Sequence, residues 1–246
     1  MKQGIFTIIE NVNLTADIMK MRLSGDTTAI TAPGQFVNIK IKGLFLRRPI
    51  SVCDCENGEL TIIYRVVGEG TKAMSEMESG DCLDILTGLG NGYDLTCAGN
   101  NPLLIGGGVG IPPLYLLAKK LISQGVFVKV IMGVRSKAEI FYVKEFESLG
   151  ATVIICTADG SEGIKGFVTD ALNTVGEYTY VYTCGPEPML KAVYEKTVTS
   201  GQYSFEERMG CGFGACMGCT CKTLYGNKRI CKDGPVLVKE EIRWEA

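Results

Sequence analysis

A single change of periodicity, near residues 97–101, constrains the fold of this chain more than any other feature. Before it, residues 5–10, 18–24, 35–41, 49–53, 60–67 and 82–86 form short runs rich in β-branched or alternating apolar residues, the pattern of strands. Asn57-Gly58 suits a tight hairpin turn, and Pro33-Gly34 opens another strand. Six strands at this spacing predict a small antiparallel barrel over residues 1–98. Residues 71–77 read as a short helix capped by Thr71. After the change, strand-like runs at 102–105, 127–132, 152–156 and 178–183 alternate with helical ones at 111–123, 143–149, 167–172 and 187–197. Leu114, Leu117 and Leu121 fall on one helical face. That alternation predicts a doubly wound α/β parallel sheet over 99–202. The last segment, 203–246, is rich in glycine and cysteine and too irregular for a core of its own. A metal centre would supply what it lacks. The expected fold class is therefore multidomain α+β: barrel, then α/β sheet, then a small C-terminal metal-binding domain.

The 246 residues carry eleven cysteines and no histidine. Without histidine there are no His-dependent triads and no His-ligated zinc or haem. The amino-terminal stretch is not a secretory signal, because Glu10 arrives before any long apolar core. Clustered cysteines then point to metal or redox use rather than disulfides. Cys53, Cys55, Cys82, Cys97, Cys156, Cys184 and Cys221 read as small hydrophobic filler. A net charge of −2 gives no reason to expect nucleic acid or an acidic membrane as partner. The charge-free stretch 100–118 is broken by Gly106, Gly107, Gly108, Gly110, Pro112 and Pro113, which argues against a membrane span. The expectation is a soluble, cytoplasmic protein.

Three motifs carry chemistry. In the first, Cys211-x4-Cys216-x2-Cys219 is followed, after eleven intervening residues, by Cys231. Three thiolates on one tight loop plus one remote match a plant-type [2Fe–2S] arrangement in its first three positions. Gly210, Gly212, Gly214 and Gly218 let such a loop wrap closely and aim backbone N–H groups at sulfur. Four thiolates also suit structural zinc, although zinc ligands more often come as two short pairs. Cys231 departs from the plant-type spacing, and Cys221 is its competitor. The second motif is the run from Gly106 to Pro113, Gly-Gly-Gly-Val-Gly-Ile-Pro-Pro, between a strand and a helix. Such a turn admits a pyrophosphate at a helix N-terminus, or is a plain strand–helix turn. Its companion, Cys184-Gly185-Pro186-Glu187-Pro188-Met189, ends a later strand of the same sheet. The third is Arg47-Arg48-Pro49-Ile50-Ser51 with Ile63-Tyr64-Arg65 and Gly70-Thr71. It could hold a diphosphate or could be a basic sheet surface, and spacing does not choose.

Together these motifs resemble the ferredoxin-reductase superfamily of FAD- and NAD(P)-binding modules. LFLRRPISV, LTIIYRVVGEGTK, LLIGGGVGIPPLY, YTCGPEPMLKAV and ERMGCGFGACMGCTC resemble, more narrowly, the electron-transfer subunits of NAD-dependent (type 1B) dihydroorotate dehydrogenases, over essentially the whole chain. The resemblance implies an FAD domain in the barrel, an NAD domain in the sheet and a [2Fe–2S] domain at the end. It implies FAD lined by Arg48, Pro49, Ile50 and Ser51, with Ile63, Tyr64, Arg65, Gly70 and Thr71 completing the site. The position of Ile50 is usually a flavin-stacking aromatic in the superfamily, and Ile50 cannot stack. Gly107, Gly108 and Gly110 would approach the nicotinamide nucleotide, with Cys184 and Gly185 near its ring. Cys211, Cys216, Cys219 and Cys231 would hold the cluster.

The resemblance further implies electron flow in pyrimidine (UMP) biosynthesis, from an FMN-containing catalytic partner through the cluster and FAD to NAD⁺. Two copies of each subunit would assemble, and the proton-abstracting base would lie on the partner, leaving no catalytic acid or base on this chain. A sibling reductase serving ferredoxin, sulfur compounds or a hydrogenase is the nearest alternative. A zinc-stabilised, nucleotide-binding redox sensor is the alternative of another class. NAD is implied over NADP. Arg135 and Lys137, after the second sheet strand, could meet a 2′-phosphate, while Asp159 and Glu162 would repel one.

Overall fold

The computed structural model describes residues 1–244. Six antiparallel strands, β1 (Lys2–Asn13), β2 (Ile18–Ser24), β3 (Phe36–Lys40), β4 (Arg48–Glu56), β5 (Glu59–Arg65) and β6 (Cys82–Leu89), close into a barrel in the order β1-β2-β5-β4-β3-β6. All six are where the alternating runs put them. Asn57 and Gly58 both have positive φ (52° and 79°), the turn that matches the twist of a two-residue hairpin. Helix α1 (Glu69–Ser75) packs Met74 into the barrel core. Thr71 does not cap it. Gly68 occupies that place, and Thr71 lies in the first turn, where its hydroxyl accepts from the backbone N–H of Val67 (3.0 Å) and Gly68 (3.2 Å).

The second unit contains β7 (Leu103–Gly107), α2 (Pro113–Ser123), β8 (Lys129–Val134), α3 (Val143–Ser148), β9 (Thr152–Thr157), β10 (Ile164–Lys165), β11 (Val181–Cys184), α4 (Glu187–Lys196) and β12 (Gly201–Ser204). After it come the hairpin β13 (Thr220–Thr223) and β14 (Gly226–Arg229), then β15 (Val236–Val238). The seven-stranded sheet has the order β10-β9-β8-β7-β11-β12-β15. Its pairings are parallel except the last, where β15 returns antiparallel to β12.

The sheet is wound on both faces because its strands alternate. Leu104, Val130, Met132 and Tyr182 pack with Leu114, Leu117 and Leu121 of α2 and Phe146 of α3. Leu103, Ile105, Ile131 and Val181 point the other way, onto Leu190 and Val193 of α4. Burying one such Leu stabilises the fold by roughly 1.5–3 kcal/mol.

Four expectations shift. The strand expected over 178–183 starts only at Val181 and runs to Cys184. The run at 127–132 becomes β8 two residues later, leaving Phe127 79% exposed. The helix expected over 167–172 is a four-residue 3₁₀ turn, Val168–Ala171, tied by the Phe167 N–H donating to Asp170 (2.7 Å). The expected boundary between 202 and 203 falls inside β12, and the C-terminal segment shares its core with the sheet through Ile230, Leu237 and Ile242. The barrel is fused to the sheet as well. Ile18, Cys53 and Ile63 join the cluster around α2, and Lys119 of α2 pairs with Asp54 (3.0 Å) and Glu56 (2.7 Å) of β4.

Candidate functional site

Strands β7 and β11 are adjacent, yet the helices that follow them, α2 and α4, lie on opposite faces of the sheet. Their carboxyl ends therefore diverge and leave a crevice, where ligands bind in open α/β sheets. A cavity of about 560 Å³ opens there, lined by Gly107, Gly108, Gly133, Pro186 and Met189, with Arg65 reaching in from the barrel. That is within the size range of small-molecule sites.

The three glycines expected to meet a nucleotide do different things. Gly108 has φ +53° with open space where a side chain would stand. Gly107 faces the cavity, but a Cβ on it would lie 2.5 Å from Met189 Sδ. A Cβ on Gly110 would lie 2.3 Å from the Cys184 carbonyl oxygen, so Gly110 lets the two turns close on each other. Cys184 is buried beside them. Burial, with the charge of Glu206 adding, pushes its thiol up to about 12, although Ser204 opposes the shift.

The cations at the cavity edge are already paired. Arg65 sits 3.1 Å from Asp17 and 3.6 Å from Glu139; Arg135 bonds Glu139 at 2.7 Å, and Lys137 bonds Glu162 at 2.8 Å. The Asp159 carboxylate accepts from the hydroxyl (2.6 Å) and N–H (2.9 Å) of Ser161, which hold its pKa down. The conflict of signs read from sequence is thus resolved locally: each cation is neutralised by an acid.

On the barrel, register sorts the third motif by face. Arg48 and Ile50 oppose Ile39 and Val37, which point into the barrel core; Pro49 and Ser51 oppose Asn38 and Phe36, which point outward. The Arg48 guanidinium lies over Gly70, where a Cβ would come within 2.2 Å of Nε, so the strand and the start of α1 meet as the motif requires. Arg47 is structural, bonding the carbonyl (2.9 Å) and carboxylate (3.0 Å) of Asp84. Ile63 and Tyr64 have buried side chains, Tyr64 donating to Asn11 (3.2 Å), so only their main chain can face a ligand. The Thr71 hydroxyl is occupied as described. Arg65 faces the sheet cavity.

The cysteine loop runs through left-handed positions at Gly212, Gly214 and Met217 (φ 78°, 91° and 63°). Its four thiols fall into two pairs. The N–H groups of Ala215 (3.2 Å) and Cys216 (3.4 Å) donate to Cys211 Sγ, and the Cys211 N–H donates to Cys216 Sγ (3.5 Å). The Cys231 N–H donates to Cys219 Sγ (3.4 Å). Burial raises the Cys211 thiol, but the backbone donors outweigh it and bring it down to about 6. The other pair is buried, and burial together with Cys219 pushes Cys231 up to about 12. Cys221, the competitor for the fourth place, stands in the β13–β14 hairpin, half-buried against the sheet core. Among the described residues, no three Cys, Asp or Glu side chains converge as ligands of a single ion. Two pairs of thiols would instead suit a [2Fe–2S] cluster, to which the four would offer thiolate ligands.

The residues matched by a family model for the iron-sulfur cluster binding domain of dihydroorotate dehydrogenase B are 206–243, and residues 104–195 match the oxidoreductase NAD-binding domain. The dihydroorotate dehydrogenase B (NAD⁺) electron transfer subunit of Bacillus pumilus is 43% identical, covering 98% of both chains. That of Fusobacterium nucleatum is 42% identical over 97% of this chain and 98% of its own. The chain belongs to the family of dihydroorotate dehydrogenase B electron transfer subunits.

This family member has a ferredoxin-reductase-like fold. A structure of an NADH-dependent reduced ferredoxin-NADP oxidoreductase superposes with a TM-score of 0.89 at 30% identity, over 98% of this chain and 90% of that one. A ferredoxin reductase of carbazole 1,9a-dioxygenase shares the fold at 22% identity and TM-score 0.69, covering 79% of this chain and 64% of that one. The sibling reductases therefore share the architecture, and the higher full-length identity to the dihydroorotate dehydrogenase subunits decides between them. Among the described residues, no helix is long and apolar enough to cross a membrane. Sequence reasoning passed over Asn38, Glu139 and Glu206. Only Asn38 left a trace, as a lone amide inside the apolar run Phe36-Val37-Asn38-Ile39.

Proposed function

We propose that this chain carries electrons between a catalytic dihydroorotate dehydrogenase subunit and NAD⁺. Its [2Fe–2S] cluster is held by Cys211, Cys216, Cys219 and Cys231. Its FAD lies along Arg48–Ser51, with Arg48 and the start of α1 taking the diphosphate and Arg65 facing the nucleotide. NAD⁺ lies over Gly107 and Gly108, beside Cys184 and Gly185. One observation supports this most strongly: Arg65 on the barrel faces the cavity of the sheet, while the outward face of β3–β4 lies against the cysteine loop. The barrel thus touches both the cavity of the sheet and the cysteine loop.

FAD supplies the conversion between two-electron hydride exchange with nicotinamide and one-electron exchange with a cluster. The residues around it position rather than protonate. Cys184, held neutral by burial, keeps charge away from the nicotinamide. Hydride exchange between two stacked rings needs alignment and not a protein base. The FMN and the base that deprotonates dihydroorotate belong to the partner, in a cytoplasmic assembly with two copies of each subunit. Co-purification with the native partner, followed by flavin, iron and sulfide analysis, tests the reading. The isolated chain is expected to oxidise NADH with artificial acceptors and to leave dihydroorotate untouched; dihydroorotate oxidation by the single chain would refute the division of labour.

A further inference from the structure

Strand β3 shows two faces to two environments. Val37 and Ile39 fill the barrel, whereas Phe36 and Asn38 point outward. Phe36 joins the buried cluster that contains Cys219 and Cys231. Asn38 is 1% exposed, an unusual place for an amide in the middle of a strand. Its Nδ2 donates to the carbonyl oxygen of Cys211 (3.2 Å). The next residue, Gly212, has φ +78°, and a Cβ on it would stand 2.3 Å from that same Nδ2. The loop backbone therefore lies directly on the amide. On its other side Asn38 is the register partner of Pro49, between Arg48 and Ile50-Ser51. Its Oδ1 is buried with no donor. The amide destabilises the strand it occupies, and its side-chain hydrogen bond goes to the backbone of the first cysteine of the loop.

We propose that Asn38 is the positioning residue that fixes the cysteine loop against the flavin-bearing strand pair, so that flavin–cluster electron transfer depends on its side chain and NADH–flavin exchange does not. The inference rests on the assignment of cluster and flavin made above. Small displacements of reacting groups are costly to rate, and a loop released from β3 has no other side-chain bond from the barrel to Cys211 among those described.

The test uses the full chain with its cofactors, in Asn38→Asp, which keeps the size but removes the donor, and in Asn38→Leu. Of the two electrons NADH gives up as hydride, one is taken by one ferric ion of the cluster and the other stays with the flavin; rapid mixing followed by freeze-quench EPR reads the first. Expected are full flavin, iron and sulfide content, unchanged NADH-to-dye turnover, unchanged cluster reduction by dithionite, and NADH-driven cluster reduction slowed by about tenfold or more. Hydrogen exchange across residues 209–219 should accelerate in the same variants. Cluster reduction by NADH at the parental rate, in a variant whose loop exchanges faster, overturns the proposal. So does a parallel fall in dye turnover, which would place Asn38 in the flavin site, and so does loss of iron from both variants, which would make it a cluster-retention residue. If the parental chain itself fails to reduce its cluster with NADH, the assignment of the electron path fails first, whatever the variants do.

Discussion

Around Gly107 and Gly110, buried strands and helices on two faces hold the backbone before any ligand arrives; around Cys211 and Cys216, the chain is glycine-rich, partly exposed and held by few side chains. The cleft is a by-product of sheet topology, and its glycines serve close packing as much as ligand approach. The loop has little core of its own, and its order rests on N–H···S contacts, on the shared pocket around Cys219 and Cys231, and on Asn38. Two sites on one electron path thus have different sources of rigidity. The cleft should be the stiffer of the two once the metal is removed.

The largest effect separates them outright. Cys216→Ser should abolish transfer to the catalytic partner while NADH-to-dye turnover stays within about twofold, the usual range for a surface substitution; steady-state assays with dye and with the reconstituted partner check both halves. If transfer persists with the cluster gone, the path is wrong.

Thiol chemistry gives the next contrast. In the chain stripped of metal, Cys211 is expected to alkylate at pH 7 at least about a thousandfold faster than Cys184, because one thiol is held near 6 and the other near 12 behind a packed wall. The Cys211 rate should fall as pH drops through about 6 and its thiolate is protonated. Mass spectrometry of timed alkylation reads both.

Within the cleft, Gly110→Ala forces a methyl onto the Cys184 carbonyl. Overpacking of this kind costs about 1–3 kcal/mol, so roughly a tenfold loss of NADH affinity with a lowered Tm is expected, and cluster content should not change. The smallest effect tests the paired cations. Glu139→Gln frees Arg135 and should raise kcat/KM for NADPH by only about two- to fivefold, since an exposed ion pair is worth no more than about 1 kcal/mol. A larger gain would mean that Glu139 is the main barrier to the 2′-phosphate.

Much of this was legible beforehand. The six barrel strands, the strand–helix alternation and the Asn57-Gly58 turn follow from local periodicity and turn chemistry, which act over a few residues. The cysteine spacing named a metal site for the same reason. The FAD motif was legible only as a set: register decided that Arg48 and Ile50 face one way and Pro49 and Ser51 the other, and burial removed the side chains of Ile63 and Tyr64 from the surface.

The sequence by itself determined which segments become strands and helices and where the candidate ligand thiols cluster, because propensity, alternation and spacing are local properties of the chain. Only the tertiary structure decided that the four thiols stand in two pairs, that Arg65 of the barrel belongs to the cavity of the sheet, and that Asn38 meets Cys211 from 173 residues away. Those are consequences of closing a barrel and folding the last strand back onto the sheet edge, and contacts between such distant residues leave almost no mark on the local pattern of the chain.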